Sequence, residues 1–373
     1  MHKKITAFLA CLLFLAGGLS ADESKFKFTV VKDLEATPVK NQYKTGTCWA
    51  FSTSSFIESE LLRMGKGRHD LSEMFVVRKI YPQKIENYVR YHGKAQLGPG
   101  SLAGDLMRVV RDYGMVPEEV YTGRHVGQSR HNHQEMDAVL RAALDALINN
   151  KSGRLSKAWP EAFDGILDAY LGEVPKQFTY RGKVYTPRSF ADDMGVQPDD
   201  YRSFTSYTHH PFYQEFVLKI PDNWYGNSYY NVPLDEFVSI VDTAIDKGYT
   251  VVWDGDVSEH SYSSRKGVAI LPQKDWADRT KKEKAEICLT PEPEMKVTQA
   301  LRQEHYDNYS TNDDHLMHIT GIARDQNGTK YYIVKNSGGT LERGNKGFVY
   351  MSEPYFRSKT ISVMVHKDAV TEK

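Results

Sequence analysis

Pro38-Val39-Lys40-Asn41-Gln42-Tyr43-Lys44-Thr45-Gly46-Thr47-Cys48-Trp49-Ala50-Phe51 is the stretch on which the fold turns. A loop rich in Gly and Thr runs into a helix expected from Cys48 to about Met64, with Gly65 and Gly67 as stop signals. Trp49, Phe56, Ile57 and Leu61 recur at the spacing of one buried helical face. The small residues Ala50, Ser52, Ser54 and Ser55 allow close packing. Cys48 therefore stands at a helix N-terminus, where the macrodipole and free N–H groups favour a thiolate. Gln42, six residues upstream, is placed to join the Cys48 backbone N–H in holding an oxyanion.

A thiolate nucleophile needs a base, and the base needs an orienting group. Near the C-terminus the chain reads Asp313-Asp314-His315-Leu316-Met317-His318-Ile319-Thr320-Gly321-Ile322, and later Tyr331-Tyr332-Ile333-Val334-Lys335-Asn336-Ser337-Gly338-Gly339. The two runs read as neighbouring antiparallel strands joined by the turn Asp325-Gln326-Asn327-Gly328. His315 opens one and Asn336 closes the other, so their side chains come together and the amide orients the imidazole. His318 is a second candidate base, but it falls off the alternation of His315 and Met317 and should face the other side of the sheet. Asp314 is expected to be a solvated strand end.

This combination resembles the papain-like cysteine peptidases. The matching residues are Gln42, then Gly46-x-Cys48-Trp49-Ala50-Phe51, then His315 with Gly321 six positions on, then Lys335-Asn336-Ser337. Leu71-Ser72-Glu73, Gly100 and the helix end Tyr113-Gly114 look like further landmarks of that family. The resemblance covers residues 27–121 and 237–366. It implies an α+β, papain-like fold: a helical half with Cys48, a curled antiparallel β half with His315 and Asn336, and a peptide-binding cleft between them. The resemblance also favours His315 over His318, through the step to Gly321. It implies a thiolate–imidazolium pair, an oxyanion site at Gln42, and substrate contacts at Gly100, Ser101 and Trp49. It implies no metal and no organic cofactor.

In the best-known relatives the His and Asn follow the Cys by about 130–150 residues. Here His315 lies 267 residues after Cys48, so roughly 120 residues are inserted between about Thr122 and Leu234. Thr45 stands where the family usually has a cysteine, so that disulfide is not expected. A disulfide-poor core with a long insertion resembles the bleomycin hydrolase and aminopeptidase C branch. Val251 to Val257 and Thr311 to Met317 look like that branch's strand and its approach to the histidine. Three departures stand out. Gly338 replaces the tryptophan that usually covers the Asn–His bond. Ser101 replaces the second of the paired cleft glycines, and narrows the cleft or points away. The chain stops at Lys373, short of the longer tail whose terminal carboxylate reads a free amine in that branch, so aminopeptidase restriction by that device is not expected.

The remaining sequence fills in the frame. Met1-His2-Lys3-Lys4, apolar Ile5 to Ala16 and the small residues Gly17 to Ser20 read as a secretory signal cleaved near Ser20 or Ala21, with a buried N-terminal helix as the alternative. Leu9-Ala10-Cys11 only weakly resembles a lipoprotein box, and lipid anchoring is not expected. Loss of the leader removes Cys11 and leaves Cys48 and Cys288, too few for a disulfide framework. Cys288, between Ile287 and Leu289, reads as a small buried hydrophobe. The 48 basic and 48 acidic residues balance, which argues against a nucleic-acid partner, and no later segment is long and apolar enough to span a membrane. His125, His131 and His133 match no metal-ligand spacing, so a solvated loop is expected. Glu135 to Asn149 and Trp159 to Leu171 have helical periodicity, and Phe178 to Tyr185 reads as a hairpin turning at Arg181-Gly182. Tyr201 to Tyr230, dense in aromatics, is expected to pack the insertion against the core.

The resulting division is a signal peptide at 1–20, an N-terminal strand and helical half at 21–122, a mainly helical insertion at 123–234 and the β half at 235–373. The function expected is that of an exported cysteine peptidase acting on peptides or proteins, with aminopeptidase action one mode. The alternative is a papain-like peptide-binding protein with weakened catalysis. Self-association through the insertion stays open.

Overall fold

The computed structural model describes residues 24–124, 127–341 and 343–370. The expected leader, with Cys11, and His125 lie outside the described residues. A first strand, β1 (Thr29–Asp33), precedes three helices, α1 (Cys48–Arg63), α2 (Glu73–Arg90) and α3 (Ala103–Tyr113). Next come α4 (Gln134–Ile148), α5 (Trp159–Leu171), the hairpin β2 (Phe178–Tyr180) and β3 (Lys183–Tyr185), α6 (Pro187–Met194), and the strands β4 (Tyr201–Thr205), β5 (Glu215–Val217) and β6 (Ser228–Asn231). The chain closes with α7 (Leu234–Lys247), β7 (Val251–Gly255), β8 (Tyr262–Ser263), β9 (Val268–Ala269), α8 (Lys281–Glu286), α9 (Gln299–Asp307), β10 (His315–Arg324), β11 (Lys330–Lys335), β12 (Phe348–Ser352), α10 (Glu353–Lys359) and β13 (Thr360–His366). Among the described residues no helix is long and apolar enough to cross a membrane.

The sequence predicts one buried face for α1, but the helix is buried without a break from Cys48 to Leu61. It runs between α2 and α3 on one side and β10 and β7 on the other. Its buried carboxylate Glu58 finds partners there. Glu58 accepts from the Thr37 hydroxyl, from Lys40 Nζ at 3.3 Å and from the Leu71 N–H at 2.8 Å. Buried polar groups paired in this way escape most of their desolvation cost. Helix α2 starts at Ser72, whose hydroxyl accepts from the Phe75 N–H at 3.0 Å, and α3 ends at Gly114, with φ of 90°.

The main sheet runs β5-β6-β4-β13-β7-β10-β11-β12-β9-β8. Among the described strands only β4–β6 and β9–β12 pair in parallel. Along one edge of β10, β7 pairs with His315 to Ile319 and β1 then takes over at Gly321 to Arg324. That handover needs Gly321: a Cβ there would lie 2.3 Å from the Lys32 carbonyl oxygen. Side chains alternate along β10, so Leu316 joins the core shared with the helices and Met317 the core behind the sheet with Trp253 and Phe356.

The first part of the 123–234 segment is helical, as its periodicity predicts, and the hairpin turns at Arg181 and Gly182, both with positive φ. Its second part departs from the expectation of a mainly helical insertion. Strand β4 pairs with β13, and β6 and β5 follow outward, so residues 201–231 extend the main sheet. Their aromatics, Tyr201, Phe204, Phe216, Tyr229 and Tyr230, are residues of high strand propensity. Tyr207 and Tyr229 are buried, whereas Tyr213 and Tyr225 remain exposed.

Candidate active site

The turn before α1 depends on Gly46. Its φ is +64°, and a Cβ there would meet Pro99 Cγ at 2.5 Å. Trp49 Nε1 donates to the Pro99 carbonyl at 3.0 Å, which fixes the Pro99-Gly100 backbone beside the nucleophile. Thr45 ties the same loop through its hydroxyl, to the Gln42 carbonyl at 3.0 Å and to the Thr47 hydroxyl at 2.7 Å.

Cys48 is 8% exposed, and the Leu316 N–H, next to His315, donates to its Sγ at 3.5 Å. His315 Nε2 lies 2.8 Å from Asn336 Oδ1. The acceptor oxygen fixes a proton on that nitrogen and leaves Nδ1 as the basic atom. Asn336 is itself held: its Nδ2 donates to the Tyr262 hydroxyl at 3.0 Å, and its Oδ1 also accepts from the Ser337 N–H at 2.7 Å. Gly338 leaves room that Arg343 takes up, since its guanidinium would lie 3.4 Å from a Cβ at that position. Tyr262 thus bonds the amide, and Arg343 lies at the place of the missing indole.

Gln42 is anchored by its backbone N–H to the Ser337 carbonyl at 2.9 Å and by its Oε1, which accepts from the Ser337 hydroxyl at 3.0 Å. This leaves the –NH2 end for the cleft, a space of about 470 Å³ lined among others by Gln42, Lys44, His315, Asn336 and Arg343. The loop ending at His133 packs beside it. The Lys44 N–H donates to the His131 carbonyl at 3.3 Å, and Arg130 lies over the Tyr43 ring. His131 and His133 turn inward, so the solvated-loop expectation holds for residues 127–130, which are exposed, and not for these two histidines. Burial pushes both rings down to about 4. Among the described residues no group of three His, Cys, Asp or Glu side chains is placed to hold a metal ion.

The electrostatics differ from a resting thiolate–imidazolium pair. Burial pushes the Cys48 thiol up to about 12; the Leu316 N–H opposes this, and the Asp222, Asp254 and Asp313 carboxylates add to it. Burial lowers His315 against the help of Asn336. In this conformation both groups favour their neutral forms, because desolvation acts on both and, at Cys48, three nearby carboxylates add to it.

The substrate contacts expected at Ser101 and Trp49 need correction. The Ser101 side chain is fully buried. It donates to Asp105 at 2.5 Å, accepts from Trp224 Nε1 at 2.9 Å, and points away from the cleft. Trp49 is 1% exposed and positions Pro99. Gly100 is half-buried, with its carbonyl bonded to Lys84 Nζ and its α-carbon against the Asp222 carboxylate. His318 faces α1, its Nδ1 2.9 Å from the Ser55 hydroxyl, away from Asn336 as the alternation requires. Asp314 is exposed, with burial and Asp256 raising it to about 6. Cys288 is wholly buried, its thiol donating to the Ser261 carbonyl at 2.9 Å, and both described cysteines are free. Tyr262 and Asp222 carry no motif in the sequence and emerge only from the fold, as does the bond of Asp313 to Asp222.

The description "Peptidase C1-like family" matches residues 103–373, and "Papain family cysteine protease" matches residues 25–79. Aminopeptidase C of Lactococcus lactis subsp. lactis (strain IL1403) is 23% identical over 398 residues, covering 97% of this chain and 87% of that protein. Bleomycin hydrolase of Mus musculus is 22% identical over 396 residues, covering 93% and 84%. Among solved structures, PepW from Lactobacillus rhamnosis HN001 superposes with a TM-score of 0.71 at 20% identity, over 92% of this chain and 83% of that one. The fold is papain-like α+β.

Proposed function

Since the chain belongs to the Peptidase C1-like family and is a cysteine peptidase, we propose that it hydrolyses peptide bonds through Cys48, His315 and Asn336. The observation that carries this reading is the 2.8 Å contact between His315 Nε2 and Asn336 Oδ1, on the strand whose Leu316 N–H reaches the Cys48 sulfur. His315 Nδ1 takes the thiol proton as Sγ adds to the carbonyl carbon. The oxyanion is met by the Cys48 N–H and the Gln42 amide. His315 then returns the proton to the leaving amine, and water releases the acyl group by the same route. No metal or organic cofactor enters these steps. The relatives named aminopeptidase C and aminopeptidase G favour attack near a free N-terminus. The basic-then-apolar N-terminus supports export.

Fluorogenic peptides assayed with the wild-type chain and Cys48→Ala test the mechanism, with an expected loss of at least about 10³-fold in kcat. Unchanged activity in Cys48→Ala would overturn it. A second reading, a peptide-binding scaffold with weakened hydrolysis, is favoured by the buried thiol held up at about 12. Epoxide alkylation of Cys48 separates the two, because an inert thiol stays unlabelled. For export, N-terminal sequencing of the protein recovered outside the cytoplasm should begin near Ala21; an intact Met1 speaks against it.

A further inference from the structure

The second part of the inserted segment reaches the cleft at Asp222. The Asp222 N–H donates to Asp313 Oδ2 of the β half at 3.0 Å, and Gln96 Nε2 of the helical half donates to Asp222 Oδ1 at 2.9 Å. This residue therefore straps the two halves together. Its carboxylate lies against Gly100, where a Cβ would fall 2.0 Å from Oδ2. Through Pro99 and Trp49, Gly100 is held one step from Cys48. A peptide laid along Gly100 toward the nucleophile meets this carboxylate.

Asp222 does not stand alone. Asp313 faces it, and Asp254, on β7 opposite Leu316, faces Asp313. Asp254 is 2% exposed, and its Oδ1, like that of Asp313, is buried with no hydrogen-bond partner among the described residues. A proton joins the two: Asp254, held well above the carboxylate range by burial and then by Asp313, keeps its proton and donates it to Asp313, which leaves Asp222 and Asp313 as the carboxylates that carry charge. The cation facing Asp222 is Lys84, but its Nζ is bonded to the Gly100 carbonyl and it is shared with Asp105 and Asp137. All three carboxylates are close enough to Cys48 to disfavour its thiolate, and Asp222 itself is raised to about 7, by burial first and then by Asp313. Asp222 and Asp313 thus place two carboxylates beside the nucleophile with Lys84 as a shared counter-charge, and a group bearing several N–H donors and a positive charge would match them.

We propose that Asp222 and Asp313, backed by Asp254, receive the α-ammonium group of a peptide and so set the distance from the free N-terminus to the bond that Cys48 attacks. The assignment rests on the reading of Cys48 as nucleophile for its catalytic meaning, while the recognition itself can be measured without chemistry. Calorimetric titration of the full chain carrying Cys48→Ala compares a free-amine tripeptide amide with its N-acetyl counterpart at pH 7.5. The free amine should bind at least about tenfold more tightly. Asp222→Asn and Asp313→Asn, each added to Cys48→Ala, should abolish the preference and keep the binding of the acetylated peptide. Equal binding of both peptides overturns the proposal, and this comparison needs neither Asn variant to fold. A preference that survives in both Asn variants also overturns it. Hydrolysis by the wild-type chain supplies the separate readout. Amine preference in binding without any cleavage defeats the catalytic reading alone, whereas equal cleavage of free and blocked peptides defeats the amine site alone.

Discussion

Ser337 makes two bonds that matter to chemistry it does not perform. Its carbonyl accepts from the Gln42 N–H and its hydroxyl donates to Gln42 Oε1, so one residue next to Asn336 sets the direction of the oxyanion amide. Ser337→Ala keeps the backbone bond and frees the side-chain amide to rotate. A single such bond is worth about 0.5–1.5 kcal/mol, so kcat should fall about 2- to 10-fold with KM nearly unchanged, read on one fluorogenic peptide. A change confined to KM would mean that Gln42 acts on ground-state binding instead. Cys48, His315 and Asn336 were legible because each lies at a local boundary that sequence marks, a loop-to-helix junction or a strand end. Tyr262 and Asp222 were not, since nothing beside them in the chain announces a bond to Asn336 or a contact with Gly100. Ser101 and Trp49 were misassigned for a related reason. Position beside the cleft is encoded in the chain, but whether a side chain turns inward depends on partners far away, here Asp105, Trp224 and Pro99.

Two elements carry the site, α1 and β10, and both are held by devices the pattern of apolar residues only partly reveals. In α1 the apolar stripe was readable, whereas burial of the remaining surface depends on Lys40, Thr37 and the Leu71 N–H finding Glu58. In β10 the edge changes partner from β7 to β1 within a few residues, and Gly321 is where the backbones approach. Gly321→Ala places a methyl group 2.3 Å from the Lys32 carbonyl oxygen, a distance that forces β1 to shift. Overpacking of this kind costs about 1–3 kcal/mol. The denaturant midpoint should drop with the slope unchanged, and His315, at the far end of the strand, should still be supported by β7 and keep its bond to Asn336. An unaltered midpoint would show that β1 contributes little to the sheet. The pairing of β1 with β10 spans almost the whole chain, which is why no local signal predicted it.

At the scale of the whole molecule, the segment between the halves both lengthens the main sheet through β4, β6 and β5 and straps the cleft through Asp222. The length of the insertion was legible from the Cys48-to-His315 spacing. Its second half was not, because strands as short as β5 and β6 give little periodicity to read. Buried acid, in the strap and elsewhere in the molecule, has a consequence for stability. Burial lifts Asp222 and Glu294 to about 7 and Glu118 to about 8, against ordinary carboxylate values near 4. Above those ordinary values the unfolded chain has already lost these protons while the folded chain keeps them, so the carboxylates make stability fall as pH rises. His131 and His133, lowered to about 4, act in the opposite sense: below 6.5 the unfolded chain holds protons that the folded chain has released, so they make stability rise with pH up to about 6.5. The two effects oppose each other on the acid side, and between about pH 6.5 and 8 the carboxylates act with little opposition from these histidines. The urea midpoint should therefore be higher at pH 6.5 than at pH 8, and Asp222→Asn, which has no proton to lose, should reduce the difference. A midpoint that stays level or climbs across that interval would mean that Asp222, Glu118 and Glu294 ionise in the folded state at ordinary carboxylate values, and that their sites are wetter than their burial implies.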